Sequence, residues 1–413
     1  MTSSGAAPAR RPPGPRAAGA AAITVTTVGI LPVFLVGVLS VQIQADLGFG
    51  PAVLGALAAS FFAASAVSAL SAGAMVRRWG SVLVVRLSAL VSAAVMGIVA
   101  VAADGAVALI AALLAAGWAN GVGQPASNDL IANAVPADRQ GLAYGVKQAA
   151  IPMATLLAGV GIPLIAIPLG WRWAFGFAAL LGLTVAATVP RGSLARADPA
   201  AMHSEAAGPF RRAPLVVLSF ALMLGAAGGN SLGAFFVPTA VAAGIAPGAA
   251  GLLIAGASGA GILVRVLVGW LADRVRARWL LVVAVQLAVG SAAYALLATD
   301  SGALIGVAVL VAYCSGWAWA GLATYAVARM HPGMAARATS ITQGGMGLGA
   351  ALGPLSFGAT VAATSYTVAW SALAALSLVA AVICVIARRM MLRERPALVA
   401  AQRQRRASDQ RST

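Results

Sequence analysis

Charged residues are scarce in this chain. Asp, Glu, Lys and Arg make up 9% of its 413 residues, whereas hydrophobic residues make up 61%. Soluble globular domains carry about 25% charged residues, so this composition excludes a chain that is soluble throughout. We therefore predict an integral membrane protein.

Residues that carry catalytic and metal chemistry are also few. The two histidines, His203 and His331, lie between apolar stretches, and no His-Glu-x-x-His pattern or phosphate-binding Gly-x-x-x-x-Gly-Lys-Ser/Thr pattern occurs. These absences argue against an intramembrane enzyme and against direct drive by ATP. The two cysteines, Cys314 and Cys384, sit in apolar runs, and we expect buried thiols. No metal or cofactor is predicted.

The net charge of +17 could suggest a nucleic-acid partner, but the position of the arginines decides against it. Outside the apolar segments, nearly all arginines fall in every second loop. The other loops carry Asp46, Asp104, Asp300 and only Arg172. Because positive loops stay on the cytoplasmic side, we expect both termini in the cytoplasm, and no nucleic-acid binding.

Twelve apolar segments are long enough to cross a membrane, which takes about 20 residues. They begin near Ala21, Pro51, Ser81, Gly105, Gly141, Trp171, Pro214, Pro247, Arg278, Gly302, Ala336 and Tyr366. We predict a cytoplasmic tail (1–20), a six-helix bundle (21–190), a cytoplasmic linker (191–213), a second six-helix bundle (214–390) and a basic cytoplasmic tail (391–413). The predicted fold is an all-α membrane protein with twelve transmembrane helices.

The two groups of six segments share landmarks at one offset. The loop Gly269-Trp-Leu-Ala-Asp273-Arg274 has a weaker copy 196 residues earlier, and segments 5 and 11 begin with similar runs 195 residues apart. A repeated offset of this kind predicts two pseudo-symmetric halves.

The run Gly-x-Leu-Ala-Asp-Arg ending at Arg274 resembles the loop signature of the major facilitator superfamily. The resemblance extends over the chain apart from its tails. It implies two six-helix bundles around a cavity that opens alternately to each side, with the substrate held near mid-membrane. The run from Gly145 to Pro152 and the run beginning at Gly170 look more like the cyanate-transporter-like branch.

Segment 11 carries the pattern Gly345-x-Gly347-x-Gly349-x-x-x-Gly353-Pro354. Small residues at such spacing let helices approach closely. We therefore expect close helix packing along this segment.

Two basic residues lie inside predicted spans. Lys147, the only lysine, is about 9 Å along segment 5 from its start, and Arg265 is about 12 Å inside segment 8. A charge in hydrocarbon costs several kcal/mol, so each needs a reason. We predict that both bind an anionic substrate. The alternatives are snorkelling of Lys147 to the surface and a structural pair of Arg265 with backbone carbonyls or the loop.

Arg265 resembles the helix 8 arginine of monocarboxylate and oxalate/formate carriers. This chain has Gly261 where the monocarboxylate carriers have an acidic residue. It has Thr342 where the oxalate/formate carriers have a lysine. The resemblance therefore favours an organic anion without naming one.

Uncharged polar side chains in the spans could donate hydrogen bonds to a substrate or join helices to one another. The candidates are Gln148, Gln343, Asn120, Gln124 and Asn230. The aromatic candidates for a cavity wall are Tyr144, Trp317 and Trp319.

Charged residues near the loops are predicted to form gates. The resemblance implies that Asp273, beside Arg274, pairs with Arg329 at the end of segment 10. In the first half the expected aspartate is replaced by Arg77, and we predict a charge-swapped pair with Asp129, for which Arg86 is a rival partner.

These observations give three functional hypotheses. The first is a secondary transporter of a small organic anion in the plasma (inner) membrane, acting as a monomer by alternating access. The second is an exporter of a neutral or amphipathic compound with the same fold. The third is a membrane sensor or scaffold that transports nothing.

Overall fold

The computed structural model describes residues 15–136, 140–189, 212–275, 277–299, 301–331 and 334–412. Within these residues every regular element is helical, and twelve helices are long and apolar enough to cross a membrane. The predicted all-α membrane protein with twelve spans is confirmed. Most of the predicted linker (191–213), and residues 1–14 of the predicted N-terminal tail, lie outside the described residues.

The first half contains six spans. α1 is Pro15–Val38, continued after Leu39 by a short helix, Ser40–Leu47. α2 is Pro51–Trp79, α3 is Ser81–Ala102, α4 is Ala106–Ala134 and α6 is Trp171–Thr188. α5 is built from Gln140–Gln148, Ala150–Gly161, a π-helical turn at Ile162–Ala166 and a last turn at Ile167–Leu169.

The second half repeats the arrangement. α7 is Ala213–Ala242, α8 is Pro247–Arg274, α9 is Trp279–Leu297, α11 is Ala335–Ala363 and α12 is Tyr366–Ser412. α10 consists of Gly302–Val311, a π-helical turn at Ala312–Gly316 and Trp319–Met330. α12 continues beyond its apolar span, so the predicted basic tail is helical as far as Ser412.

Single glycines separate two pairs of consecutive spans. Gly80 has φ +81° between α2 and α3, and Gly170 has φ +98° between α5 and α6. Residues with a Cβ rarely adopt this conformation, so glycine allows the chain to reverse within one residue. Proline begins α2 at Pro51 and α8 at Pro247, where its missing N–H costs no helical hydrogen bond.

Packing between the halves follows the repeat. α2 packs against α11, α5 packs against α8, and α1 packs against α7. Since α2 corresponds to α8 and α5 to α11, the first two contacts are equivalent under the pseudo-symmetry. Within the second half, Cβ atoms on Gly345, Gly349 or Gly353 would overlap the backbone of α7. The predicted close packing of segment 11 is therefore confirmed.

The two ends of the helical assembly differ in how tightly the halves meet. The end with the turns after α2, α4, α8 and α10 is called the arginine-rich end, for Arg77, Arg78, Arg274, Arg278 and Arg329. At the other end, called the opposite end, the halves touch backbone to backbone at three places. An added Cβ would lie 2.7 Å from Ala234 Cα if placed on Gly37 and 2.6 Å from Gly251 O if placed on Gly159.

The third contact joins Gly55 of α2 to the Pro354 carbonyl of α11. It repeats the pair formed by Gly159 and Gly251, because both partners are displaced by the same 195 to 196 residues. Toward the arginine-rich end the halves meet less tightly: an added Cβ on Gly145 of α5 would lie 3.8 Å from Gly269 Cα of α8, an ordinary contact, and Gln343 of α11 is exposed. The halves are therefore closed together at the opposite end.

Candidate functional site

A break in α5 lies beside the chain's only lysine. Gln148 ends the first helical segment, and the residue four positions later is Pro152. Proline has no backbone N–H, so the helix supplies no donor to the Gln148 carbonyl. This carbonyl needs a partner from elsewhere because it lies inside a membrane span.

Arg265 of α8 supplies that partner. Its Nη1 donates to the Gln148 carbonyl at 2.7 Å, and its Nη2 donates to the Trp317 carbonyl of α10 at 2.6 Å. Trp317 directly follows the π-helical turn, and its own N–H reaches back five residues to Ala312. Arg265 thus satisfies carbonyls at breaks in two helices, one in each half. This is the predicted structural alternative for this residue.

The guanidinium of Arg265 keeps donors to spare. Arg265 is 6% exposed, and its Nε is buried with no hydrogen-bond partner among the described residues. A guanidinium has five N–H donors, of which two are used here. The buried Tyr313 ring lies beside Trp317, whose carbonyl Arg265 contacts, with ring centroids 5.3 Å apart.

Lys147 is held within the first half. Its Nζ donates to the Gln124 carbonyl at 3.1 Å and to Asn128 Oδ1 at 2.6 Å, both on α4. The side chain is 4% exposed, and its amine is bonded to α4 and does not reach out to the surface. Among the described residues, no carboxylate forms an ion pair with Lys147 or with Arg265.

The uncharged candidates fall into different environments. Asn120 is buried and donates to Ser65 Oγ of α2 at 2.9 Å, while Gln124 donates to Asn120 Oδ1 at 3.2 Å. Asn230 donates to the Ala226 carbonyl within its own helix. These contacts join helices or stay within one helix.

Two glutamines lie nearer the boundary between the halves. The Gln148 side chain packs against Gly321 of α10, in the second half. Gln343 is exposed on α11. At the α5 break the structure therefore joins Arg265 to the Gln148 carbonyl, while the neighbouring Lys147 turns its amine to α4.

The aromatic candidates have different positions. Trp317 is 3% exposed, and its ring centroid lies 5.5 Å from that of Phe34 and 5.3 Å from that of Tyr313. Trp319 is buried in the second half and donates from Nε1 to the Gly316 carbonyl at 2.8 Å. The side chain of Tyr144 lies outside the described residues.

The predicted gate residues lie at the arginine-rich end. Arg274 lies over the Trp270 ring at 3.9 Å, and Arg329 lies near the Tyr325 ring at 5.9 Å. Tyr325 donates to the carbonyl of Ala272, the neighbour of Asp273, at 2.8 Å. Arg329 is thus brought toward the Asp273 loop.

No ion pair joins Asp273 to Arg329, or Asp129 to Arg77, among the described residues. Asp273, Arg329 and Arg77 are exposed, and Asp129 is half-buried. The predicted latches would form only when this end closes, whereas the structure is closed at the opposite end. Both pairings therefore stay predictions.

The opposite end carries an ion pair of its own. Arg172 donates to Asp46 and to the Ala103 carbonyl, and so ties the start of α6 to α1 and α3. The hydrogen bond from Arg172, helped by one from the Trp171 indole, holds the pKa of Asp46 below its ordinary value of 3.8. This cluster explains the single arginine in the loops of that side.

Three solved structures share this architecture. A bacterial homologue of the human lysosomal transporter Spinster, inward-facing and occupied, has TM-score 0.64 and 18% identity, covering 93% of this chain and 96% of that one. The nucleoside transporter NupG has TM-score 0.66 and 15% identity, with 89% and 99% covered. A D-xylose-proton symporter has TM-score 0.68 and 14% identity, with 89% and 97% covered.

At these identities the likeness is one of fold. A comparison with curated protein sequences finds no match. The family profile of the Major Facilitator Superfamily matches residues 18–239 and 218–409, which together span nearly the whole chain. The chain therefore belongs to the Major Facilitator Superfamily.

Proposed function

We propose that this membrane transporter carries a small organic anion by alternating access, and that Lys147 and Arg265 bind the anion. The observation that carries the proposal is the pair of buried cations whose hydrogen-bond acceptors, among the described residues, are all uncharged oxygens. Membership of the superfamily makes the protein a transporter and leaves its cargo open.

Lys147 and Arg265 both carry a positive charge inside the membrane-spanning part of the protein. Two positive charges inside a membrane protein are costly unless an opposite charge or several hydrogen bonds compensate them. Each cation here has partial compensation and unused donors. A carboxylate would supply the missing charge, and charge-assisted hydrogen bonds are stronger than neutral ones.

The cations face different neighbours. Lys147 points into the first half, toward α4. Arg265, on α8 of the second half, donates to the Gln148 carbonyl at the α5 break. We propose that an anion recruits the spare donors of both when it enters from the arginine-rich end. We propose that Gln148, Gln343, Asn120 and Asn230 offer uncharged hydrogen bonds to the anion, and the bond of Asn120 to Ser65 also joins α4 to α2.

A transporter whose halves are closed together at one end is in one of the two end states of an alternating-access cycle. We propose that the arginine-rich end faces the cytoplasm of a plasma (inner) membrane, with both termini on that side, and that the protein acts as a monomer. The domains are then residues 21–190 and 214–390. Asp273, Arg274 and Arg329, with Arg77 and Asp129, would latch the arginine-rich end once it closes.

The structural relatives do not identify the transported substrate. They are described as a homologue of a lysosomal transporter, a nucleoside transporter and a D-xylose-proton symporter. The cyanate-transporter-like resemblance of the run from Gly145 to Pro152 supports a small anion, because this run contains Lys147 and the break that Arg265 contacts.

A ligand screen followed by counterflow tests the proposal. Purified protein is screened by thermal shift with formate, oxalate, malonate, lactate and cyanate, since a ligand that binds the folded state raises its apparent stability. The best stabiliser is then measured as radiolabelled counterflow in proteoliposomes. We expect Lys147→Gln and Arg265→Gln each to reduce counterflow at least tenfold (about 1.4 kcal/mol). Arg78→Gln, which removes an exposed arginine from the end of α2, is the control.

The second candidate is an exporter of a neutral or amphipathic compound. The bonds of Arg265 to two backbone carbonyls favour it, because they give this arginine a purely structural task. Stabilisation by none of the five anions would support this candidate. Anion counterflow that is unchanged in both variants would instead keep an anion as the substrate and show that Lys147 and Arg265 do not bind it.

A further inference from the structure

An aromatic contact joins the two halves between the cation site and the closed end. Phe34 of α1 and Trp317 of α10 meet edge to face, with ring centroids 5.5 Å apart and planes 67° apart. Phe34 is 1% exposed and Trp317 is 3% exposed. Gly37, one turn beyond Phe34, makes the backbone contact with α7 that closes the opposite end.

The Trp317 ring is enclosed by small residues. A Cβ on Gly229 of α7 would overlap the indole, and a Cβ on Gly233 would lie 2.6 Å from the Phe34 ring and 3.1 Å from the Trp317 ring. Two glycines one turn apart thus form the recess that holds both rings. Any passage from the cation site to the opposite end along this face of α7 requires the rings to separate.

The backbone of Trp317 lies outside regular helix. Its φ and ψ are −124° and −12°, between the π-helical turn and the helix that starts at Trp319. The bond from Arg265 Nη2 holds the Trp317 carbonyl in the second half, while Nη1 holds Gln148 in the first. The guanidinium carbon also lies 5.7 Å from the Trp317 ring.

We propose that Phe34 and Trp317 form the inner gate of the transport path, and that Arg265 is the positioning residue that keeps this gate shut until an anion takes its donors. An anion that binds the spare donors of the guanidinium draws the side chain away from the Gln148 and Trp317 carbonyls. Loss of the second bond frees the α10 break, and Trp317 leaves Phe34. The identity of the releasing ligand rests on the proposed function, whereas the gate and its support by Arg265 do not.

The test measures the opposite end without any ligand. Spin labels are attached to Ala45→Cys and Ala246→Cys, two exposed positions at the opposite end in different halves, after Cys314 and Cys384 are replaced by alanine. Double electron–electron resonance in nanodiscs then gives the distance distribution of this opposite-end label pair. We expect the starting protein to show mainly the short, closed distance.

Loss of the gate or of its support should open this end. Trp317→Ala and Arg265→Gln should each raise the ratio of open to closed populations about tenfold, the equivalent of one charged hydrogen bond. The double variant should raise the ratio of open to closed populations little more than either single variant does, because both changes act on one contact. Trp118→Ala removes an exposed tryptophan of α4 and should leave the distances unchanged.

Other outcomes would overturn the gate. Unchanged opposite-end distances in folded Arg265→Gln would show that the arginine does not hold Trp317 in place. Fully additive shifts would show that the two residues act separately. If Arg265→Gln fails to fold, Arg265→Lys supplies the measurement: lysine keeps the charge but lacks the planar fork that spans the two carbonyls, so a smaller opening is required. A positive result here together with no anion transport would reject the proposed function alone.

Discussion

Gly159 offers a sharp test of how the halves close. The contact between α5 and α8 at the opposite end places Gly159 against the Gly251 carbonyl, and an added Cβ would lie 2.6 Å from that oxygen and 2.8 Å from Ile254 Cγ2. Cβ atoms in proteins do not approach a backbone oxygen this closely. Gly159→Ala therefore forces α5 and α8 apart wherever this contact exists.

The size of the effect follows from the location of the clash. Overpacking a tight contact costs about 1–3 kcal/mol. In an alternating-access cycle the halves separate at this end in the other state, so the cost falls on the closed state alone. An equilibrium between the two states should then shift toward opening of the opposite end by about 5–150-fold.

The opposite-end label pair measures this shift. Gly161, two residues farther along α5, has nothing within 4 Å of an added Cβ, so Gly161→Ala is the matched control. We expect Gly159→Ala to shift the label distances to longer values. Gly161→Ala should leave the distance distribution unchanged. If both variants give the starting distribution while remaining folded, the halves do not open at this contact, and the assignment of the opposite end as a moving closure is wrong.

Three further predictions concern stability, measured by thermal unfolding of the purified protein. The lowered pKa of Asp46 means that its pair with Arg172 stabilises the fold above the ordinary value of 3.8 and that this gain is lost as the pH falls through the lowered pKa. The unfolding temperature of Asp46→Asn should therefore fall less than that of the starting protein between about pH 5 and pH 3. Asn128→Ala removes an acceptor of Lys147 and should cost about 1 kcal/mol, whereas Asn133→Ala, which loses only a bond within α4, should cost less. Gly349→Ala overlaps the Met223 carbonyl and should cost about 1–3 kcal/mol, while Gly344→Ala, in open space on the same helix, should be tolerated.

The fold could be predicted from the sequence because its main cause is simple. A backbone in hydrocarbon must satisfy its own hydrogen bonds, so each long apolar segment becomes a helix. The repeat offset then predicted two similar halves, and the equivalent contacts of α2 with α11 and of α8 with α5 confirm them. Segment ends were less certain: α1 begins six residues before the expected Ala21.

The site was only partly predictable. Burial of Lys147 and Arg265 follows from their position inside apolar runs, and the structure confirms that both are buried. Their partners depend on which faces of α4, α5, α8 and α10 meet, and one sequence without an alignment does not give helix rotation. Asn128, Phe34 and Tyr313 were missed for this reason.

One missed feature did have a signal in the sequence. Pro152 stands four residues after Gln148, which predicts an unsatisfied carbonyl inside a span whatever the tertiary structure. Among the available donors in the other half, a buried arginine is the most capable because it can serve two carbonyls at once. The break in α10 has no such signal in the sequence, since it is a π-helical turn without proline.

The cation site departs from the pseudo-symmetry of the two halves. The repeat mates of Lys147 and Arg265 are Thr342 and Ala69, so neither charge is required by the pseudo-symmetric scaffold. Thr342 is buried and bonds to its own helix at the Thr339 carbonyl, which shows that the scaffold closes around a neutral residue at that position. A buried cation that the scaffold does not need is retained at a cost. The breaks that Arg265 bridges are themselves departures from the repeat, so the buried charges and the broken helices occur together where the two halves differ.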